Sequence, residues 1–157
     1  MSNNSVAIAS DHAGFALKQS LVDYMRELDL KVKDLGTDSD DSVDYPDFAV
    51  RLAEYMKENN ETVGVLICGS GIGMSIAVNR FSFIRAALVR SMEEAVLCRQ
   101  HNDANVLVLG GRITSEDDAR HILNAFLNTE FSGGRHIARV EKLSLLNDDV
   151  LKKENDL

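Results

Sequence analysis

The densest chemical signal in the chain is the run Cys68, Gly69, Ser70, Gly71, Ile72, Gly73, a thiol followed by glycines at alternate positions. Glycine adopts backbone conformations closed to other residues and lets amides approach a ligand closely. The residues that follow, Met74 to Asn79, read as a helix start, so the loop reads as an anion cradle suited to a developing oxyanion. It is not a dinucleotide fingerprint, which would need glycine at position 74, nor a P-loop, which would end in Gly-Lys-Ser/Thr. The competing reading is a tight strand-to-helix turn whose glycines serve packing alone; a thiol directly before the loop shifts the balance. Loop amides beside a helix start favour a thiolate, so Cys68 can act as a base or as a nucleophile. Cys98, inside the helical pattern Met92 to Gln100, reads as a small inert hydrophobe.

Of the histidines, His12 stands beside Asp11 and His101 beside Asn102 and Asp103, where an imidazole can carry a proton near neutral pH. His121 falls on a polar helix face. No His, Cys and carboxylate cluster has metal-ligand spacing, so no metal is expected. Between Lys57 and Lys142 there is no lysine, and the cations are Arg80, Arg85, Arg90, Arg99, Arg112, Arg120, Arg135 and Arg139. A guanidinium fork binds phosphate bidentately, whereas an ammonium is a point charge. Arg80, Arg99 and Arg120 read as helix-surface residues. Arg135 and Arg139, four apart after Gly133-Gly134, read as one face of a helix start, either a phosphate clamp or a salt-bridged surface turn, and the arginine-only surroundings favour the clamp.

The elements that must position these groups alternate. Five apolar runs read as buried parallel strands: Val6 to Ser10, Lys31 to Leu35, Val63 to Cys68, Ile84 to Val89 and Val106 to Gly110. Amphipathic helices are expected over Phe15 to Leu28 and Asp47 to Asn59, with Pro46 just before the second. Ser91 with Glu94 and Ser115 with Asp118 mark two further helix starts, and a last helix is expected over His136 to Asn147. A βαβ series of this length implies an open, doubly wound, five-stranded parallel α/β sheet with helices on both faces, a Rossmann-like or flavodoxin-like three-layer sandwich. Ligands bind such sheets outside the carboxyl ends of the strands. Asp11 and His12 follow strand one, Tyr45 lies after strand two, Cys68 to Ser70 close strand three, Arg90 follows strand four and Arg112 follows strand five.

A chain of 157 residues suits one core, expected over residues 1–147 with a charged tail over 148–157, and hence one site. Lys and Arg total 17 against 25 Asp and Glu, a net charge of −8, so no basic field attracts nucleic acid. No stretch approaches the roughly 20 apolar residues that span a bilayer. The first residues carry no secretory pattern, so a cytoplasmic protein with no membrane partner is expected.

The motifs Ser10-Asp11-His12-Ala13-Gly14, Asp44-Tyr45-Pro46, Ile67 to Gly73, Arg99-Gln100-His101-Asn102-Asp103 and Gly133-Gly134-Arg135-His136 resemble, in order and spacing, those of type B ribose-5-phosphate isomerases. The wider family includes galactose-6-phosphate isomerase subunits, and the likeness runs from Val6 to Asn147. The resemblance implies cofactor-free interconversion of ribose 5-phosphate and ribulose 5-phosphate through an enediolate. It implies Cys68 as the base, the amides from Gly69 through Ser70, Gly71 and Ile72 to Gly73 as the oxyanion hole, and His101 as the proton donor for ring opening. It further implies Asp11 and Asn102 on sugar oxygens, Tyr45 at the border of the sugar, and His12, Arg112, Arg135 and Arg139 on the phosphate. A homodimer or dimer of dimers with shared active sites is implied as well. Met74 departs from members that carry a glutamate base at that position, which returns the burden to Cys68, and Ser70 replaces the more usual threonine while keeping its hydroxyl. Ala87-Leu88-Val89-Arg90 resembles the galactose branch, but Cys68, Arg99 to Asp103 and Gly134-Arg135-His136 together favour the pentose. The alternatives are a hexose 6-phosphate isomerase acting on allose or galactose 6-phosphate, a non-catalytic phosphosugar sensor, and flavodoxin-type FMN binding, which the missing phosphate loop after strand one disfavours.

Overall fold

A computed structural model describes residues 5–147 together with 149 and 150, so the expected charged tail lies outside the described residues except for Asp149 and Val150. Five strands, β1 (Ser5–Ser10), β2 (Lys31–Asp34), β3 (Val63–Cys68), β4 (Ala86–Leu88) and β5 (Val106–Gly110), form one parallel sheet in the order β2-β1-β3-β5-β4. Helices α1 (Phe15–Glu27), α2 (Tyr45–Glu58), α3 (Ile72–Val78), α4 (Met92–Asn102) and α5 (Glu116–Asn128) connect or follow the strands, and α6 (Ile137–Ser144) comes last. The expected three-layer sandwich is thereby borne out.

Strand parity decides which helix each side chain meets. Val6, Ile8, Val65, Ile67, Leu107 and Leu109 pack against α1, α4 and α5. Their alternates Ala7, Ala9, Leu66, Cys68, Val106 and Val108 pack against α2 and α3. Cys68 is therefore a core-facing residue of β3 that happens to be its last, buried beneath α3. Both capping motifs form: Ser91 Oγ accepts from Glu94 N–H at 3.2 Å while Glu94 Oε2 accepts from Arg90 N–H at 2.6 Å, and Ser115 Oγ accepts from Asp118 N–H at 3.1 Å.

Several boundaries differ from the sequence expectation. Helix α2 begins at Tyr45 and takes Pro46 into its first turn, where a missing amide leaves no bond unmade. β4 is shorter than Ile84 to Val89 because side-chain amides replace the ladder at its entry. Asn105 Oδ1 accepts from Arg85 N–H at 2.7 Å, and Asn79 Oδ1 accepts from Ala86 N–H at 2.9 Å. The last helix starts at Ile137 after a 3-10 turn at Gly134–His136, and ends at Ser144 rather than Asn147.

Two cations read as ordinary surface groups do structural work. Arg99 donates from Nε to Thr129 O at 3.2 Å and from Nη1 to Ala104 O and Asp103 Oδ1, with its guanidinium over Phe126. It joins the end of α4, the approach to β5 and the end of α5, a task for a planar fork with several donors. Arg120 lies half-buried over the ring of Tyr24.

Lys18 is fully buried in α1, and its Nζ donates to Asp34 Oδ2 at 2.6 Å and Oδ1 at 2.8 Å. Asp34 Oδ1 also accepts from Gly36 N–H at 3.0 Å, and Gly36 O in turn accepts from Ser10 N–H at 2.7 Å. The ion pair thus fixes the chain after β2 against the end of β1, directly before Asp11. Asp34→Ala, which leaves the Lys18 charge buried without a partner, is expected to cost about 3–5 kcal/mol in equilibrium urea unfolding. Lys18→Met combined with Asp34→Asn, which keeps an acceptor for Gly36, is expected to recover most of that loss.

Candidate active site

The sheet order reverses between β1 and β3, since the chain leaves β1 toward β2 on one side and returns to β3 on the other. Asp11 and Cys68 flank this crevice at the carboxyl edge, where open α/β sheets hold their ligands. Asp11 is buried, and its Oδ1 accepts from Gly14 N–H at 3.1 Å, starting the 3-10 turn His12–Gly14. His12 Nδ1 accepts from Val43 N–H at 3.2 Å. An amide can only donate, so Nδ1 offers its lone pair and the neutral ring carries its proton on Nε2. That bond also ties down the loop leading to Tyr45.

The glycine loop is shaped by what lies against it. Gly71 has φ +78, a conformation that favours glycine, and a Cβ there would come 2.5 Å from Leu88 Cδ1. A Cβ on Gly73 would stand 2.7 Å from Tyr45 Cζ, so the phenol ring rests on the bare backbone of the loop. Arg112 lies over Gly69, its Nη1 within 3.2 Å of where a Cβ would stand. The first amides of α3 have no acceptor within the helix, and that of Ile72 donates to Ser70 Oγ at 3.2 Å. Asp11, Tyr45, Cys68, Ser70, Gly73 and Arg112 border a cavity of about 440 Å³, also edged by Gly69 and by Ile113, a residue the sequence did not single out.

His101, Asn102, Arg135 and Arg139 are not brought to that cavity. They border a second one, of about 450 Å³, together with His136. The reason is topological. A helix joining parallel strands returns the chain from the carboxyl to the amino edge, so the last residues of α4 and the segment after α5 lie at the far edge of the sheet. Ser132 N–H donates to Gln100 O at 3.0 Å, docking the Gly133-Gly134 turn onto the end of α4. The rings of His101 and His136 stack with centroids 4.5 Å apart and planes at 15°. Desolvation, then the cationic neighbours His101, Arg135 and Arg139, hold His136 below the usual imidazole range.

A larger hollow of about 1020 Å³ runs along the free edge of β4, bordered by Phe81, Phe83 and Leu143. Its Arg85 is engaged by Asp103 at 3.0 Å, its thiol is that of Cys98, which burial keeps protonated, and among the described residues no carboxylate or glycine loop borders it, so volume alone does not mark the site. Among the described residues no group of three or more His, Cys, Asp or Glu is placed to hold a metal ion. Nor, among those residues, is any helix long and apolar enough to cross a membrane.

Fold and site together define an α/β enzyme scaffold that presents a thiol, a carboxylate and a glycine loop to a small ligand at its sheet switch point. The Ribose/Galactose Isomerase family model matches residues 6–143, and the chain belongs to that family. It is 40% identical over 141 residues to ribose-5-phosphate isomerase B of Escherichia coli strain K12, covering 90% of this chain and 95% of that one. Among solved structures it resembles a ribose 5-phosphate isomerase from Thermotoga maritima, with a TM-score of 0.88 and 46% identity over 90% of this chain and 98% of that one. It also resembles ribose-5-phosphate isomerase B from Mycoplasma genitalium with bound ribulose-5-phosphate. That likeness has a TM-score of 0.84 and 37% identity, over 98% of this chain and 97% of the other. The family resemblance read from the five ordered motifs is borne out.

Cys98 donates from Sγ to Ala95 O at 3.2 Å, and burial pushes its thiol up to about 11. It is therefore protonated and unreactive at neutral pH. Iodoacetamide at pH 8 is expected to leave Cys98 unmodified in the folded chain and to modify it in urea, read from peptide masses.

Proposed function

We propose that this protein is an aldose-ketose isomerase that interconverts D-ribose 5-phosphate and D-ribulose 5-phosphate through an enediolate. The observation that carries this reading is the convergence of Cys68, Asp11 and the glycine loop on one cavity, in a chain whose relatives include ribose-5-phosphate isomerases B. Cys68, as thiolate, takes the proton from C2 of the open-chain aldose, and the electron pair left behind moves the negative charge onto O1. The amides from Gly69 to Gly73 hold the charge that develops there, with each lost donor of this kind costing about 3–4 kcal/mol. The Cys68 proton returns to C1 while a proton passes from O2 to O1, giving the ketose. Asp11 anchors sugar oxygens, Tyr45 borders the sugar, and His12 with Arg112 hold the phosphate through Nε2–H and the guanidinium.

The remaining functions belong to the second cavity, which one chain keeps at the opposite sheet edge. Two copies related by a twofold axis can place the amino edge of one against the carboxyl edge of the other. The Cys68 cavity is then completed by His101 of the partner subunit, Asn102 of the partner subunit, Arg135 of the partner subunit and Arg139 of the partner subunit. His101 donates a proton to the furanose ring oxygen as the C1–O bond to the ring breaks and the C1 hydroxyl gives its own proton to water, which opens the ring to the aldehyde. Exposed Ile72, Ile76 and Ile113 on the first side and Ile137 on the second supply apolar surface for such a contact.

Cys68→Ala is expected to lower turnover of ribose 5-phosphate by at least about a hundredfold while leaving its binding intact. Unchanged turnover would remove Cys68 from its role. Higher turnover on allose 6-phosphate or galactose 6-phosphate would move the substrate to a hexose, and binding without turnover on any of the three would make the protein a sensor. Mixing Cys68→Ala with His101→Asn subunits is expected to restore about a quarter of the intact sites, because half the dimers are mixed and each mixed dimer has one intact site. No recovery after subunit exchange would place both residues in the same chain's site.

A further inference from the structure

The second cavity contains one more functional group than the proposed reaction assigns. His136 ends the 3-10 turn Gly134–His136, and its ring lies flat on His101 at 4.5 Å. The turn is built to deliver it there. Gly133 and Gly134 take φ of +63 and +56, so the chain folds back sharply, and the Ser132 to Gln100 bond fixes where the fold begins. A histidine that transfers a proton is commonly oriented by a carboxylate on its other nitrogen. Here the acid nearest in sequence, Asp103, is taken by Arg85 at 3.0 Å and Arg99 at 3.3 Å, so the stacked ring is the feature that orients His101.

The charged groups acting on His136 are His101 across the stack, Arg135 on its own turn and Arg139 on α6, and all are cations or able to become so. Two imidazolium rings at stacking distance beside two guanidinium groups repel strongly, which disfavours the doubly protonated pair. Desolvation and those neighbours hold His136 below the usual imidazole range, so that it is neutral at neutral pH. A neutral aromatic face attracts a cation laid over it.

We propose that His136 is a positioning residue. It stays neutral and presents its ring face to His101, which fixes the imidazole in the cavity and keeps its proton available to the substrate. This rests on the reading of His101 as the ring-opening acid and assigns His136 no contact with the sugar.

Three substitutions separate this role from its rivals. His136→Phe keeps a neutral ring and cannot carry a proton, His136→Leu removes the ring, and His136→Lys fixes a positive charge in its place. Each is assayed for kcat and KM with ribose 5-phosphate, for the pH profile of kcat, and for titration of the His101 Cε1–H resonance by NMR. His136→Phe is expected to stay within about threefold of the unsubstituted kcat and to leave the His101 titration in place. His136→Leu is expected to lose about tenfold in kcat at little change in KM. His136→Lys is expected to lose about a hundredfold, within the span of a general acid's contribution, with His101 giving up its proton at lower pH. His136→Phe falling as far as His136→Leu would overturn the proposal, because His136 would then be exchanging a proton or bonding the ligand itself. Full activity in all three would overturn it too. His101→Asn distinguishes the two layers. Full turnover in that variant removes the assignment of His101 as the acid, whereas an inactive His101→Asn beside a fully active His136→Leu removes only the role of His136.

Discussion

Parallel strands can be joined only by a connection that carries the chain back across the sheet, and in this protein that requirement sorts the chemistry. Residues that directly follow a strand gather at the carboxyl edge: Asp11 and His12 after β1, the Cys68 loop after β3, Arg112 after β5. Residues that close a helix gather at the amino edge: His101 and Asn102 ending α4, and Arg135, His136 and Arg139 after α5. No loop movement exchanges the two groups, because five hydrogen-bonded strands stand between the edges. A site that needs both sets must therefore draw on two chains, and the exposed isoleucines beside each cavity are the surface on which such an association can rest.

Each edge is held by a cation that the proposed chemistry does not use, fully buried Lys18 at one and part-buried Arg99 at the other. At the carboxyl edge Lys18 and Asp34 fix the backbone around Ser10, so Asp11 leaves β1 from a defined point. At the amino edge Arg99 gathers carbonyls of Thr129 and Ala104 and pairs with Asp103, so the end of α4 and the end of α5 keep a constant separation. The stacked histidines sit on that platform. Arg99 thus holds the end of α4 that carries His101, two residues further on.

Much of this was legible in the sequence. β1, β3 and β5 are buried on both faces and appear as unbroken apolar runs, and the Cys68 loop is contiguous, so its thiol and glycines could be read together. The start of β4 was not legible, because Asn79 and Asn105 take over bonds that a run of apolar letters leads one to give to the ladder. The role of Arg99 was not legible because its partners are backbone carbonyls, which no sequence pattern marks, and one of them, Thr129 O, comes from the far end of α5. The stack of His101 on His136 escaped for the same reason, although Arg135 next to it drew notice. The separation into two half-sites had a signal that went unused: whether a candidate follows a strand or follows a helix already assigns its edge.

The position of β5 between β3 and β4 bears on when the thiol loop acquires its shape. Gly111 N–H donates to Cys68 O at 2.7 Å and Arg112 N–H to Gly69 O at 3.0 Å, while Gly110 lies so close to Ser70 that a Cβ would stand 2.9 Å from its carbonyl carbon. The backbone beside Cys68 is thus braced by a segment made about forty residues later, a long-range closure of the kind that forms late in folding. During synthesis the ribosome releases the thiol well before its brace. The chain accordingly carries an unbraced glycine loop for part of its own translation, until β5, the last strand in sequence, arrives.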